Sequence, residues 1–490
     1  MLHKALRRGR LSKEQYERRL PPLRDELLAA QTELRKQQKV ALAMIVTGIP
    51  AAGRTETVNE LLEWIDPKHV TVHAFGEPDR EEKRHPPMWR YWRTLPARGR
   101  MAFYFVGWYS DYMARACVAP SKVWRHEQRI VERIRQLETM LQADGIRVVK
   151  IHLHIDAKTQ RERLERLRAD KLTRWRVTRE DRWLARHYKN VERVTQRCLK
   201  ATDHPASRWH LIDGTDTEYR LLKVGEIVRN ELRNGLQRPS HKAKTAAAKV
   251  SAKRPVSLPR QASAELDKET YERELVRLQG RLALLARRSR FREHALVLAF
   301  EGMDAAGKGG AIRRITAALD ARQYQVIPVS APTPEELSYP YLWRFWRQVP
   351  KLGDVAIFDR SWYGRVLVER VRGFAPPADW RRAYDEINEF ERQLTERGII
   401  VAKFWLQVSP KEQLARFKAR DDDPLKRFKV DKEDWVNRDF YDAYQVAAGE
   451  MIERTDAKDA RWHVVAADDK WRARLEVLEA VCEAVEKKLD

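Results

Sequence analysis

The chain has 490 residues, 43% of them hydrophobic, which is long for one ordinary domain and supplies enough apolar material for two or three cores. Lysine and arginine exceed aspartate and glutamate by 96 − 71 = 25, a balance that favours polyanionic partners: nucleic acid, an anionic membrane or polyphosphate. Three widely spaced cysteines (Cys117, Cys198, Cys482) exclude a disulfide framework or thiolate metal site, and no run has signal-peptide or membrane-spanning length, so a cytoplasmic protein with ordinary buried thiols is expected.

In chain order, Leu11 to Lys39 reads as a polar helix with an apolar stripe at Leu20, Leu23, Leu27 and Leu34. An apolar run, Val40 to Val46, leads into TGIPAAGRTETV, Thr47 to Val58. Farther along stand WRYWRTLP (Trp89 to Pro96), Trp108-Tyr109, LTRWRV from Leu172, and Arg208-Trp209-His210. Gly235 to Ala264 is rich in alanine, serine, proline and lysine with hardly any large apolar residue, so it reads as a flexible basic linker. Beyond it a helix is predicted over Leu266 to Arg288, strands at Ala295–Phe300, Tyr324–Ser330, Val355–Phe358, Ile399–Val408 and Trp462–Ala466, and helices at Ala311–Leu319, Trp380–Arg397, Pro410–Ala419, Trp435–Arg454 and Lys470–Lys488. Apolar strands alternating with amphipathic helices imply an α/β fold, a parallel sheet covered on both faces.

The two halves repeat each other. Gly48, Gly53 and Arg54 correspond to Gly302, Gly307 and Lys308 at an offset of 302 − 48 = 254. The same offset places WRYWRTLP on WRFWRQVP (Trp343 to Pro350) and Trp108-Tyr109 on Trp362-Tyr363. Later landmarks, LTRWRV on LKRFKV and Arg208-Trp209-His210 on Arg461-Trp462-His463, run at 253. The chain is a tandem duplication, 1–234 and 265–490, joined by 235–264.

Chemistry is concentrated in the second copy. Glu301 to Arg314, EGMDAAGKGGAIRR, follows a buried strand and opens a helix, and Gly302 through Lys308 fits G-x-x-x-x-G-K. Backbone amides of Gly302, Ala305, Ala306, Gly307, Gly309 and Gly310 would cradle phosphate oxygens, with Lys308 adding a full charge. Gly309 replaces the Ser or Thr that normally holds magnesium, while Asp304 sits inside the loop, so Asp304 reads as a metal ligand. Asp359 ends an apolar strand in the manner of a Walker B carboxylate, and Arg360 beside it would stabilise a phosphoryl group in flight. Glu369 would hold metal-bound water, or else form a salt bridge. Arg416 to Asp434 interleaves cations and acids around a proline as a lid, with Arg420, Lys426 and Lys429 clamping phosphates. The aromatic group Tyr341, Trp343, Phe345 and Trp346 has counterparts in the first copy and reads as packing. In that copy Asp304, Lys308, Asp359, Arg360 and Glu369 become Pro50, Arg54, Phe105, Val106 and Arg115; without metal carboxylates, the copy is expected to be inactive and Arg54 at best to bind an anion.

EGMDAAGKGG, PTPEE (Pro332 to Glu336), YLWRFWRQVP, DRSWYGR and DDDPLKRFK together resemble the type-2 polyphosphate kinase family, in its duplicated form. The resemblance implies two tandem P-loop, thymidylate-kinase-like domains, Mg2+ at Asp304 and Asp359, and phosphoryl transfer from inorganic polyphosphate to AMP. It implies catalytic roles for Asp304, Lys308, Asp359, Arg360, Glu369 and Arg420, with no nucleic-acid or membrane partner and room for a homo-oligomer. The lid departs from the family at Phe428 and Val430-Asp431, where Trp and Leu-Ser are usual. The alternatives are a polyphosphate-dependent nucleoside diphosphate kinase, an ATP-dependent nucleotide kinase, and a polyanion-binding scaffold with a relic P-loop.

Overall fold

The computed structural model describes residues 2, 6, 10–237, 266–422 and 432–490. Nearly all of the basic linker, and with it Lys426 and Lys429 of the lid, lie outside the described residues. Two five-stranded, all-parallel sheets form, one per half. The first contains β1 (Ala41–Gly48), β2 (Val70–Ala74), β3 (Met101–Phe105), β4 (Ile146–His154) and β5 (Trp209–Asp213), in the order β2-β3-β1-β4-β5. The second contains β6 (Ala295–Gly302), β7 (Tyr324–Pro328), β8 (Val355–Asp359), β9 (Ile399–Gln407) and β10 (Trp462–Ala466), in the same spatial order, β7-β8-β6-β9-β10. The continuously apolar strands β1 and β6 are buried along nearly their whole length and take the centre, as strands covered on both faces must. Strand β7 is largely exposed and ends in Pro328, which an edge tolerates because no ladder donor is needed there.

Several boundaries differ from the sequence reading. The helix after the loop begins at Lys308, not Ala311, because Gly307 adopts φ 106° and turns the chain straight into it. The stretch Trp435–Arg454 is two helices, Lys432–Asp439 and Tyr441–Thr455, broken at Phe440. At the other end of the first half, the helix Thr217–Leu236 carries ordered chain into what was read as linker, with Gly235 packed against Val40 and Arg147.

The compact units are not contiguous in sequence. Unit 1 comprises Met1–Pro78, Arg90–Ser240 and Pro332–Trp343; unit 2 comprises Asp79–Trp89, His241–Ala331 and Arg344–Asp490. The borrowed pieces are the same segment in each copy, since 79 + 254 = 333 and 89 + 254 = 343. Within unit 2 the Leu352 amide donates to the Arg84 carbonyl at 3.2 Å; within unit 1 the Arg98 amide donates to the Ser338 carbonyl at 2.9 Å. Each borrowed segment is braced by a parallel ring stack, His85 on Trp89 and Tyr339 on Trp343, both at 3.8 Å. The PTPEE motif therefore belongs to unit 1, not to the unit that carries the P-loop lysine.

One buried polar network occurs twice. In unit 2 the Lys403 ammonium donates to Glu391 (2.8 Å), the Tyr363 hydroxyl (3.0 Å) and the Thr455 carbonyl (2.7 Å), while Trp362 and Tyr363 donate to the other Glu391 oxygen. In unit 1 Lys150, Glu138, Tyr109, Thr202 and Trp108 repeat these bonds. A fully buried ion pair is tolerable only because every donor and acceptor is met. The Trp-Tyr pair of DRSWYGR is thus framework, as are Phe345, packed on Phe358 and Trp362, and Trp346, edge-on to Phe390.

Candidate active site

Strand β6 delivers the loop to the carboxyl end of sheet 2. Gly302 has φ 142°, and a Cβ there would lie 2.4 Å from the Leu406 carbonyl oxygen of β9, so only glycine lets the chain leave the sheet at this point. Ala305 adopts φ 61°, and Gly307 starts the nine-residue helix Lys308–Thr316. Among the described residues nothing lies within 4 Å of where side chains on Gly307 or Gly309 would project, so these residues leave the space over the loop open. Two side chains from the helix Pro410–Asp421 hold the loop from below. Gln413 donates to the Asp304 carbonyl at 3.0 Å and Arg416 to the Ala305 carbonyl at 2.9 Å, with Arg416 also reaching the Ala467 and Asp468 carbonyls. Arg416, the first residue of the stretch read as lid, is therefore fixed scaffold.

Strand β8 runs beside β6 in a register that pairs Phe300 with Asp359. Asp359 consequently ends its strand next to the loop, and Arg360 follows with φ 62° and its amide on the Phe300 carbonyl at 3.0 Å. That turn aims the Arg360 guanidinium at Asp304, which it meets at 2.7 Å. Lys308 folds onto the Gly302 and Met303 carbonyls at 2.8 and 3.2 Å. Burial, then the charge of Arg360, holds the Lys308 ammonium below its ordinary value, opposed by Asp304, Asp359 and Glu301. Four of the expected residues, Asp304, Lys308, Asp359 and Arg360, thus form one electrostatic cluster.

The remaining two have other partners among the described residues. Glu369, in the short helix Val368–Val371, forms an ion pair with Arg365 at 3.1 Å, the salt-bridge alternative of the sequence reading. Arg420 lies in the last turn of Pro410–Asp421, where its charge joins those of Arg416 and Arg474 in lowering the Lys470 ammonium, itself first depressed by burial. Sequence reasoning missed two members of the cluster. Buried Glu301 accepts from Ser361 at 2.7 Å, and burial holds its carboxyl above the ordinary range. Asn437, at the end of Lys432–Asp439, donates to the second oxygen of Asp304 at 2.9 Å while its own oxygen accepts from Arg372 at 2.9 Å.

Unit 1 keeps the backbone of this site and closes it. Ala51 and Val106 repeat the positive φ of Ala305 and Arg360, at 65° and 63°, and Gln160 and Arg163 repeat the bonds of Gln413 and Arg416. Over Gly53, however, lies the Arg220 guanidinium, 2.3 Å from where a Cβ would sit. It is fully buried and donates to Ala52, Gly214 and Glu56. The matching position in unit 2, at 220 + 253 = 473, is Ala473, which leaves the loop open. Arg54 is itself desolvated, with Asp181 and Glu180 supplying its nearest compensation. Arg54, expected at best to bind an anion, thus sits in a loop whose Gly53 is covered by a guanidinium of the chain itself. A β-branched residue at φ 63° retains strain that only Arg360 has a use for. Val106→Gly should therefore raise the thermal midpoint, because relief of ~1–3 kcal/mol outweighs the ~0.5–1 kcal/mol entropy cost of glycine.

A family model described as polyphosphate kinase 2 (PPK2) matches residues 10–239 and 265–490. A polyphosphate:AMP phosphotransferase of Pseudomonas syringae pv. tomato is 44% identical over 476 residues, covering 96% of this chain and 95% of that protein. One of Pseudomonas aeruginosa is 43% identical over 490 residues, covering 97% of each. The crystal structure of a polyphosphate kinase 2 from Pseudomonas aeruginosa PA01 superposes with a TM-score of 0.87 at 40% identity, covering 100% of this chain and 99% of that one.

Proposed function

The chain belongs to the polyphosphate kinase 2 family, and from that premise we propose that it transfers the terminal phosphoryl group of inorganic polyphosphate to AMP, giving ADP. The observation that carries the reading is the open loop of unit 2 with Lys308, Asp304, Arg360 and Asp359 gathered round it, in a chain alike over nearly its whole length to polyphosphate:AMP phosphotransferases. The P–O bond to the terminal phosphoryl group breaks as an AMP oxygen bonds to that phosphorus, and the shortened polyphosphate leaves with the bond's electrons. An AMP phosphate oxygen is already ionised near neutral pH, its second pKa being about 6, so no general base is needed. The requirement is positioning and relief of repulsion between two polyanions.

The residues divide that work. The loop amides and the helix start at Lys308 bind donor oxygens. Lys308 exchanges its carbonyl partners for phosphate, and Arg360 exchanges Asp304 for the phosphoryl group in flight. Asp304 and Asp359 would hold magnesium, which is commonly bound by one or two carboxylates, substrate phosphates and water, and which when bound neutralises charge on the phosphate oxygens. Two carboxylates at the loop are the hard oxygen donors magnesium takes, and Arg360, which now holds one Asp304 oxygen, would release it to the metal. Asn437 keeps Asp304 oriented. Arg420, in the last turn of Pro410–Asp421, would add a cation for the donor's phosphates. The three cysteines, all buried and unpaired, fit a reducing cytoplasm.

Purified chain given magnesium, long-chain polyphosphate and, in turn, AMP, ADP, GMP and GDP should form ADP from AMP. Its apparent polyphosphate affinity should fall steeply with salt, as when counterions are released from a polyelectrolyte. Product formed with ATP as donor and none with polyphosphate overturns the reading.

A further inference from the structure

At the end of sheet 2 away from the loop lies a depression of about 400 Å³ lined by Arg84, Arg287, Arg288, Arg292, Gln323 and Asp354, with Ala286 and Gly353. Gln323 and Asp354 immediately precede β7 and β8, and Arg292 precedes β6, so this is the amino end of the strands, whereas Asp304 and Asp359 are at the carboxyl end. The lining carries four guanidinium groups and one carboxylate, Asp354, which already has Lys351 at 3.6 Å; at the rim Arg288 pairs with Asp490 at 3.3 Å and Asp320 acts on Arg287, so the hollow keeps an excess of positive charge. Like charges around one hollow repel, and an anion within it would offset that repulsion.

The hollow is built by a feature that unit 1 lacks. There the helix Lys13–Gln37 runs almost directly into β1 at Ala41. In unit 2 a 3-10 turn, Ser289–Glu293, intervenes between the helix Lys268–Arg287 and β6. The turn is pinned by Phe291, 1% exposed, so the arginines on either side are held at the rim. Arg84 is also fixed, its side chain donating to the Leu352 carbonyl. Arg287 donates to a carbonyl of its own helix, that of Ala283 at 2.9 Å, feels the charge of Asp320, and remains exposed.

We infer that this hollow is a second phosphate-chain site of unit 2, which anchors a distal stretch of a long linear polyphosphate whose terminus lies in the loop. The inference rests on the donor proposed above. A nucleotide acceptor has one charged end and occupies one site; a chain of repeated charges occupies both. Eight-residue β6 separates the two ends of the sheet by roughly 26 Å, a span that a chain of a few phosphates does not cover.

The test is the double variant Arg287→Ala/Arg292→Ala in the full chain, assayed with AMP and either tripolyphosphate or long-chain polyphosphate. Expected are an unchanged kcat, an unchanged KM for tripolyphosphate, and a KM for the long chain raised roughly three- to tenfold. The log–log salt slope of long-chain affinity should also fall by about one to two, matching the two lost cations. A long-chain KM equal to the parent's, or a rise shared equally by both donors, overturns the inference. If the parent forms no ADP from either donor, the donor reading itself has failed. Direct titration of long-chain polyphosphate into parent and variant then decides the hollow on its own: equal affinities sink it, weaker binding by the variant sustains it.

Discussion

Lys308→Ala is expected to lower turnover by about 10²–10³ while the chain stays folded, the usual cost of removing a preorganised contact to transition-state charge. Arg54→Ala, its counterpart in unit 1, is expected to leave the chemical step close to that of the parent. The two positions share a loop, a left-handed glycine before them and a helix after them. They differ in what surrounds them. Lys308 faces Asp304, Asp359 and Glu301 beneath an open loop; Arg54 faces Asp181 and Glu180 in a loop covered by Arg220. Steady-state rates for both variants, with circular dichroism as a check on folding, decide the matter. Equal loss in two folded variants would mean that both loops take part in the chemistry.

Lys403→Met should destabilise the chain by about 3–5 kcal/mol, since it strands a buried carboxylate without its cation. Glu391 is 2% exposed and would retain only the Trp362 and Tyr363 donors. The double variant Lys403→Met/Glu391→Met should recover much of the loss, because an apolar pair of similar volume leaves no orphaned charge. Denaturant midpoints measure both. A single variant as stable as the parent, or a double variant worse than the single, would show that the network is held by something other than this ion pair.

The loop, the strand ending in Asp359 and the repeat were legible because each is written in contiguous residues: strand, glycine turn and helix must follow one another for a cradle to form at all. Asn437 was not, since it reaches Asp304 across 133 residues and nothing local marks it. The break at Phe440, just beyond Asn437, was hidden by an unbroken helical pattern. Arg220 was invisible for the same reason, as its meaning lies in the room over Gly53. Lys403 did leave a mark, a lysine amid the apolar strand IIVAKFWLQ and again in IRVVKIHLH, the same place in both copies. The borrowed segments left none, because their turn and ring stack read alike whichever unit they complete.

Those borrowed segments set a schedule for synthesis. Unit 1 is complete only when Trp343 has emerged, though the helix that closes its own half ends at Leu236. The interval is 343 − 236 = 107 residues, or ~5–20 s of translation at 5–20 residues per second. For that time the older half of the nascent chain waits with a vacant seat, and the linker and P-loop strand are made while it waits. Unit 2 has the opposite history, for its borrowed piece is among the first hundred residues made. A ribosome that stops between the copies releases a product short of one part and holding another that has nowhere to go.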